Sequence, residues 1–220
     1  VTPEALLANW NAAWRAVGVA GADEALCIEL QHRYCEPQRH YHTLQHLGEC
    51  LSWFEREKSL AERPGEVALA LWFHDAIYDV HAHDNEARSA DWARSAMLER
   101  GAQAEAAERV HALVMATRHD AVPEGRDAEL LIDIDLSILG ADRARFDEYE
   151  RQVHAEYAFV PDEIRLPRRR VILQRFLSRE AIYTTPRMHA LLEAQARANL
   201  VRSIAATNLI QPPRARDCAA

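Results

Sequence analysis

Glycine, paired cysteines and long apolar runs are what this sequence has least of, and each shortage closes off a class of protein. Only seven glycines occur in 220 residues, too few for the many tight turns of a sheet protein. Alanine is abundant and long stretches lack both glycine and proline, so helices are expected. The cysteines Cys27, Cys35, Cys50 and Cys218 follow no CxxC spacing. Reduced thiols are therefore expected, not a disulfide framework or a cysteine-bound zinc site. No run approaches the ~18 apolar residues needed to cross a membrane. The first residues, Val1-Thr2-Pro3-Glu4, lack the basic and apolar regions of a signal peptide, and a cytoplasmic location with no membrane partner is the expectation. Basic charge is missing too. A formal charge of −8 argues against a nucleic-acid polymer as partner, because phosphate backbones are gripped by net basic faces. It leaves room for one small anion held by a local cluster of cations.

What the chain does have is apolar content, 49% of its residues, enough for one substantial core and hence one domain. Thr2, Pro3 and Glu4 give a cap, a first-turn proline and an acid at the positive end of a first helix, with Leu6, Trp10, Trp14 and Val17 at helical spacing. Further helices are predicted over about 23–35, 43–58, 84–100, 102–117, 142–157, 161–177 and 188–208, with breaks at Pro37, at Glu62-Arg63-Pro64-Gly65 and at Val122-Pro123-Glu124-Gly125. Val67 to Phe73 is almost wholly apolar and reads as the central buried helix. Leu130 to Leu139 is apolar apart from Asp133, Asp135 and Ser137. The fold class expected is all-α, a single bundle of about nine to ten helices over 1–210. The tail at 211–220 is expected to be disordered.

Against that apolar background a few polar residues stand out. His42 and His46 are four apart and share a face if one helix includes both; otherwise they are a capping and a surface histidine. His74-Asp75 closes the central helix, where a buried carboxylate needs a cation or several donors; a local cap or salt bridge is the alternative. Asp133 and Asp135 lie among branched apolar residues, and periodicity does not say which caps and which binds a cation. A divalent metal would justify gathering such residues, since imidazole and carboxylate are its ordinary ligands.

In this order the motifs resemble those of the HD superfamily of metal-dependent phosphohydrolases, and are closest to a bacterial group of predicted HD phosphohydrolases of about this length. The likeness is carried by Arg39-His40-Tyr41-His42-Thr43-Leu44-Gln45-His46-Leu47, by Trp72-Phe73-His74-Asp75-Ala76-Ile77-Tyr78-Asp79, by Asp84-Asn85-Glu86-Ala87-Arg88-Ser89-Ala90, by Asp133-Ile134-Asp135-Leu136-Ser137-Ile138-Leu139-Gly140 and by Ala196-Arg197-Ala198-Asn199-Leu200. It implies an HD-like helical bundle over about 5–205 in which His46, His74, Asp75 and Asp135 ligate a divalent ion (Mn, Mg, Co, Ni, Zn or Fe). His46 is preferred to His42 because Tyr41-His42-Thr43-Leu44-Gln45-His46 is similar to the Tyr-His-Asn-x-x-His stretch of cyclic-nucleotide phosphodiesterases, where the second histidine binds metal and the first donates a proton. Asp135 is preferred to Asp133 because HD proteins often present Asp-x-Asp with the second residue as ligand. Tyr78-Asp79 stands where stringent-response hydrolases show Glu-Asp, which argues against pyrophosphate chemistry of their kind.

The catalytic set implied is His42 as general acid, Arg39 on a phosphate oxygen and Asp75 orienting water. His119, Glu86 and Asp79 are candidates for a second metal or for supporting contacts, with His111 in the same interval as His119. Arg39, Arg197 and Asn199 are candidates for substrate binding, with buttressing of the site as the alternative for Arg197 and Asn199; a small phosphorylated molecule, such as a nucleotide, is the expected partner and a homodimer a possible assembly. The run Arg165-Leu166-Pro167-Arg168-Arg169-Arg170 reads as a solvated helix face. Two other functions fit the same residues: a di-iron oxygenase of the kind inositol oxygenase represents, and a metal-binding regulatory module without turnover.

Overall fold

Helix α4 (Pro64–Phe73) is closed to solvent from Gly65 to Phe73, with every side chain between them buried. A helix apolar all round has to be surrounded, and five others surround it: α1 (Pro3–Ala16), α3 (Leu44–Glu57), α5 (Asn85–Glu99), α6 (Ala104–Ala116) and α7 (Arg126–Asp135). The computed structural model describes residues 2–21, 23–119, 121 and 123–209. The tail predicted at 211–220, Cys218 included, lies outside them. The remaining helices are α2 (Glu24–Arg33), α8 (Arg143–Glu156), α9 (Asp162–Leu177) and α10 (Pro186–Leu209), and short 3₁₀ turns cover Lys58–Leu60 and Leu136–Gly140. Among the described residues no strand occurs. The all-α bundle expected from the scarcity of glycine is what forms.

Local signals set the helix starts. Thr2 and Asp23 accept from backbone N–H groups of the first turns of α1 and α2, and Thr43 and Asp142 do so for α3 and α8. Each satisfies a donor that the helix cannot satisfy itself. The Thr43 cap decides between the two readings of the His42 and His46 spacing. Because Thr43 is extended and α3 begins at Leu44, His42 is not on the helix and does not share a face with His46.

Aromatic packing ties α1 to α4. Trp10 meets Trp14 and Trp72 edge-on at 5.4 and 5.1 Å, and the Trp72 indole N–H donates to Asn9 Oδ1 at 2.9 Å. This is the arrangement that ring quadrupoles favour. The crossing is close because Gly65 has no side chain: a Cβ there would stand 2.6 Å from Ala16 Cβ and 3.1 Å from the Ala13 carbonyl oxygen. Gly65→Ala is therefore expected to push α1 off α4 and lower stability by ~1–3 kcal/mol, read as a lower urea midpoint at unchanged m-value. An unchanged midpoint would show the helices slide apart freely.

Candidate metal centre

The core helix stops where the polar residues begin. His74 caps the C-terminus of α4 with its backbone still helical, Ala76 N–H turns back to the Phe73 carbonyl, and Ile77 N–H is taken by Ser89 Oγ. His74 and Asp75 are thus delivered from one end of α4, His46 from the first turns of α3, and Asp135 from the last residue of α7.

Their donor atoms converge. His46 Nε2 lies 3.0 Å from His74 Nε2, 3.4 Å from Asp75 Oδ2 and 3.3 Å from Asp135 Oδ1. His74 Nε2 lies 3.0 Å from Asp75 Oδ2 and 3.6 Å from Asp135 Oδ1. Cys50, one turn beyond His46 on α3, brings its sulfur to 3.8 Å from His46 Nε2. The ligand atoms of His46, Cys50, His74 and Asp135 all fall within 4.8 Å of one another. A divalent ion with donor bonds of about 2.1 Å sets neighbouring donors about 3.0 Å apart in an octahedron and about 3.4 Å apart in a tetrahedron. The observed separations match that range. This buried group could hold a divalent metal ion.

Hydrogen bonding prepares the rings for that task. His74 Nδ1–H donates to the Leu71 carbonyl oxygen at 2.7 Å, which leaves a lone pair on Nε2, facing His46. His46 Nδ1 is 3.0 Å from the Tyr41 hydroxyl, the outer partner that fixes a ligating imidazole. Both imidazoles and both carboxylates are shifted toward their charged forms. Burial works against charge on His46, but Cys50, Tyr41, Asp135 and Asp75 outweigh it and hold the ring well above the usual imidazole range. Burial is likewise outweighed at His74, chiefly by Asp75. At Asp75 the opposing influences are His74 and His42, and at Asp135 they are His119, His46 and His74, so both carboxyls sit well below the usual range. Two nitrogens 3.0 Å apart, flanked by carboxylates, form a cage that could hold a cation in place of the protons those rings would otherwise carry.

Around this cage the sequence-predicted residues divide. His42 stands beside it, its ring 5.9 Å from the His46 ring and stacked on Tyr78 at 4.1 Å. His119 Nε2 bonds Asp135 Oδ2 at 3.1 Å, opposite the oxygen that faces His46. Asp133 turns away: its carboxylate accepts from the backbone and hydroxyl groups of Thr184 and Thr185 at 2.6 to 3.3 Å. Asp79 shapes the loop after the His-Asp pair, accepting from His81 N–H at 2.9 Å. Glu86 sits in the first turn of α5 and has no bond to the cage among the described residues.

Arg39 is a correction. Its side chain is fully buried, and its guanidinium donates to the carbonyls of His42, Asp75 and Ala76 and to Glu36. A cation at the negative end of α4 satisfies carbonyls the helix leaves open, and nothing of it remains for a phosphate. Arg197 and Asn199 make the buttressing contacts, one of the two roles the sequence leaves open for them. Arg197 pairs with Glu193 and donates to the carbonyls of Leu177, Arg179 and Glu180, and Asn199 donates to those of Leu139 and Ala141. They brace the ends of α9 and of the turn after α7. His111 faces Asp91, away from the cage.

Cys50, which joins the group above, escaped sequence reasoning, and so did one more residue. Glu156, the last residue of α8, is buried and accepts from the backbone N–H groups of His40, Tyr41 and His42 at 2.7 to 2.9 Å. Its other oxygen bonds His42 Nδ1 at 2.8 Å and the Tyr78 hydroxyl at 3.0 Å. The available signal was an acid at the unfavourable, negative end of a helix. Burial would raise the Glu156 carboxyl, but His42 and those N–H groups bring it down to about 2. A lowered carboxyl contributes stability that is complete above its unfolded value near 4.5 and is lost as pH falls through the folded value. Wild type is therefore expected to exceed Glu156→Gln by on the order of 3 kcal/mol at pH 7. That gap should close as the pH falls from 4.5 toward 2, followed by urea unfolding across the pH series.

A cavity of ≈ 460 Å³ opens elsewhere, between the starts of α4 and α7 and the side of α6. Within it Arg109 grips Glu66 at 2.6 Å, and Asp127 accepts from Glu62 and Arg63 N–H. Among the described residues no helix is long and apolar enough to cross a membrane. No protein-family model, curated protein or solved structure matches the chain.

Proposed function

We propose that this protein is a metal-dependent phosphohydrolase that cleaves a small, nucleotide-like phosphate ester or anhydride. The observation that carries the reading is the convergence of two imidazole nitrogens and two carboxylates within 3.0 to 3.6 Å, with a third imidazole held beside them. His46, His74, Asp75 and Asp135 would hold the ion, with Cys50 as a sulfur donor in reach. Such an ion, when bound, polarises a phosphoryl oxygen and lowers the pKa of its water toward neutrality.

The chain's own residues supply the rest. Asp75 has a second carboxylate oxygen with which to accept a proton from the attacking water and orient it, while the second oxygen of Asp135 lies 3.1 Å from His119 Nε2. His42 donates through Nδ1 to Glu156, and stacking on Tyr78 fixes the plane of its ring. Its Nε2 is then the group that gives a proton to the departing oxygen. His119 Nε2 lies 3.1 Å from Asp135 Oδ2, a separation like those within the cage, so the number of ions bound per chain is what separates a one-metal hydrolase from a di-iron oxygenase.

Turnover separates an enzyme from a regulatory metal binder. A panel of phosphomonoesters, diesters and nucleoside polyphosphates is expected to show hydrolysis that needs added Mn²⁺, Mg²⁺, Co²⁺ or Ni²⁺ and stops with chelator. His42→Ala is expected to keep the ion and lose about 10²–10⁴-fold in kcat, the usual share of a general acid. If no substrate turns over with any of these ions, or if His42→Ala is fully active, the hydrolase reading fails.

A further inference from the structure

A site for phosphate needs a cation besides its metal, and the arginines that sequence suggested are spent elsewhere. Arg39 and Arg197 are consumed by carbonyls. Arg165 is held by Asp162 and His154, and Arg169 by Glu150. Arg179, just beyond the end of α9, differs from all of them. It is half-buried, its guanidinium lies over the Phe176 ring at 4.7 Å, and its Nη2 reaches the His119 carbonyl oxygen only at 3.5 Å, the outer limit of a hydrogen bond. No carboxylate among the described residues pairs with it. Burial, the one influence on its protonation, disfavours its charge without an acid to compensate.

Its place is equally specific. The Phe176 ring meets the His119 ring edge-on at 6.0 Å, and that same imidazole bonds Asp135 at 3.1 Å. Arg179, Phe176 and His119 therefore form one wall on the Asp135 side of the cage. His119 holds φ at 55°, alone among the described non-glycine residues in the left-handed region. Backbone strain of this kind persists where surrounding structure over-determines it, and it gathers at functional sites. A partly desolvated guanidinium without a counter-ion is costly, and an arriving anion removes that cost. Packing on Phe176 also orders the long side chain in advance, which lessens the entropy lost on binding.

Resting on the phosphohydrolase reading, we propose that Arg179 is the substrate-binding cation of this site and that it takes the second negative charge of a terminal phosphoryl group. Phosphomonoesters and nucleoside polyphosphates carry that charge and diesters do not, so Arg179 selects the first two.

Inorganic phosphate is the probe, titrated calorimetrically into manganese-loaded wild type, Arg179→Ala and Arg179→Lys, with bound manganese counted in each. The expected result is equal manganese in all three, phosphate affinity about tenfold or more weaker in Arg179→Ala, and partial recovery in Arg179→Lys, which restores charge without the planar fork. Undiminished phosphate affinity in Arg179→Ala, with manganese bound, overturns the role of Arg179 and leaves the metal centre standing. So does wild type that binds manganese but no phosphate. Loss of manganese from Arg179→Ala makes the residue structural and overturns the inference. Wild type without manganese overturns the metal-centre reading and the inference with it.

Discussion

His74→Ala is expected to abolish tight binding of a divalent ion while the bundle stays folded. The imidazole supplies one of the two ring nitrogens at the centre of the cage, and its Nε2 is within 3.6 Å of every other nitrogen or oxygen donor there. Outer partners of metal ligands alone carry about 10–100-fold in affinity, so loss of a direct donor is expected to exceed about 100-fold. Removing the ring leaves the Leu71 carbonyl without its 2.7 Å partner, a cost of about 1–3 kcal/mol. Equilibrium dialysis with Mn²⁺ or Co²⁺ gives the affinity directly. Thermal unfolding checks it independently: ion at 100 times its Kd stabilises wild type by about 2.7 kcal/mol and should leave His74→Ala unmoved. A variant that keeps the metal-dependent shift would show that the cage is not the binding site.

The second large effect separates two neighbouring aspartates. Asp133 carries four hydrogen bonds from Thr184 and Thr185, so Asp133→Ala strands two backbone N–H groups just ahead of α10. At about 1–3 kcal/mol for each unsatisfied buried group, with the lost hydroxyl bonds added, the expected destabilisation is on the order of 3–5 kcal/mol. Metal affinity per folded molecule should not change. Asp135→Asn is the converse, with metal binding lost and stability of the metal-free chain altered far less. Unfolding midpoints and metal titration on both variants test the division. If Asp133→Ala lost metal at unchanged stability, the assignment of the two carboxylates would be reversed.

Much of this was legible in the sequence because it is local. The cap at Thr2, the helix starts near residues 23 and 142, the apolar run from Val67 to Phe73 and the His-Asp pair at its end are properties of short segments. The structure places them as periodicity and capping rules predict. Spacing alone left open whether His42 joins the helix, and a single residue's preference decides it, since Thr43 satisfies the first turn of α3 and excludes what precedes it.

The failures are non-local. Arg39 sits in a basic, histidine-rich segment that reads as an anion receptor, yet the carbonyls that consume its guanidinium belong to residues 36 and 37 positions away. Glu156 reaches His42 from 114 positions away, and no pattern within α8 connects the two. Arg179 stands out because it packs beside His119 without a paired acid among the described residues, which becomes visible once Arg39, Arg165, Arg169 and Arg197 have been followed to their partners.

The central claim is that His46, His74, Asp75 and Asp135 surround one ion, and a crystal soaked in manganese tests it most directly through anomalous scattering. The predicted result is a single strong peak at about 2.0–2.2 Å from Nε2 of both histidines and from an oxygen of both aspartates. A peak elsewhere, or none at a manganese concentration where the protein binds the ion in solution, would contradict the account.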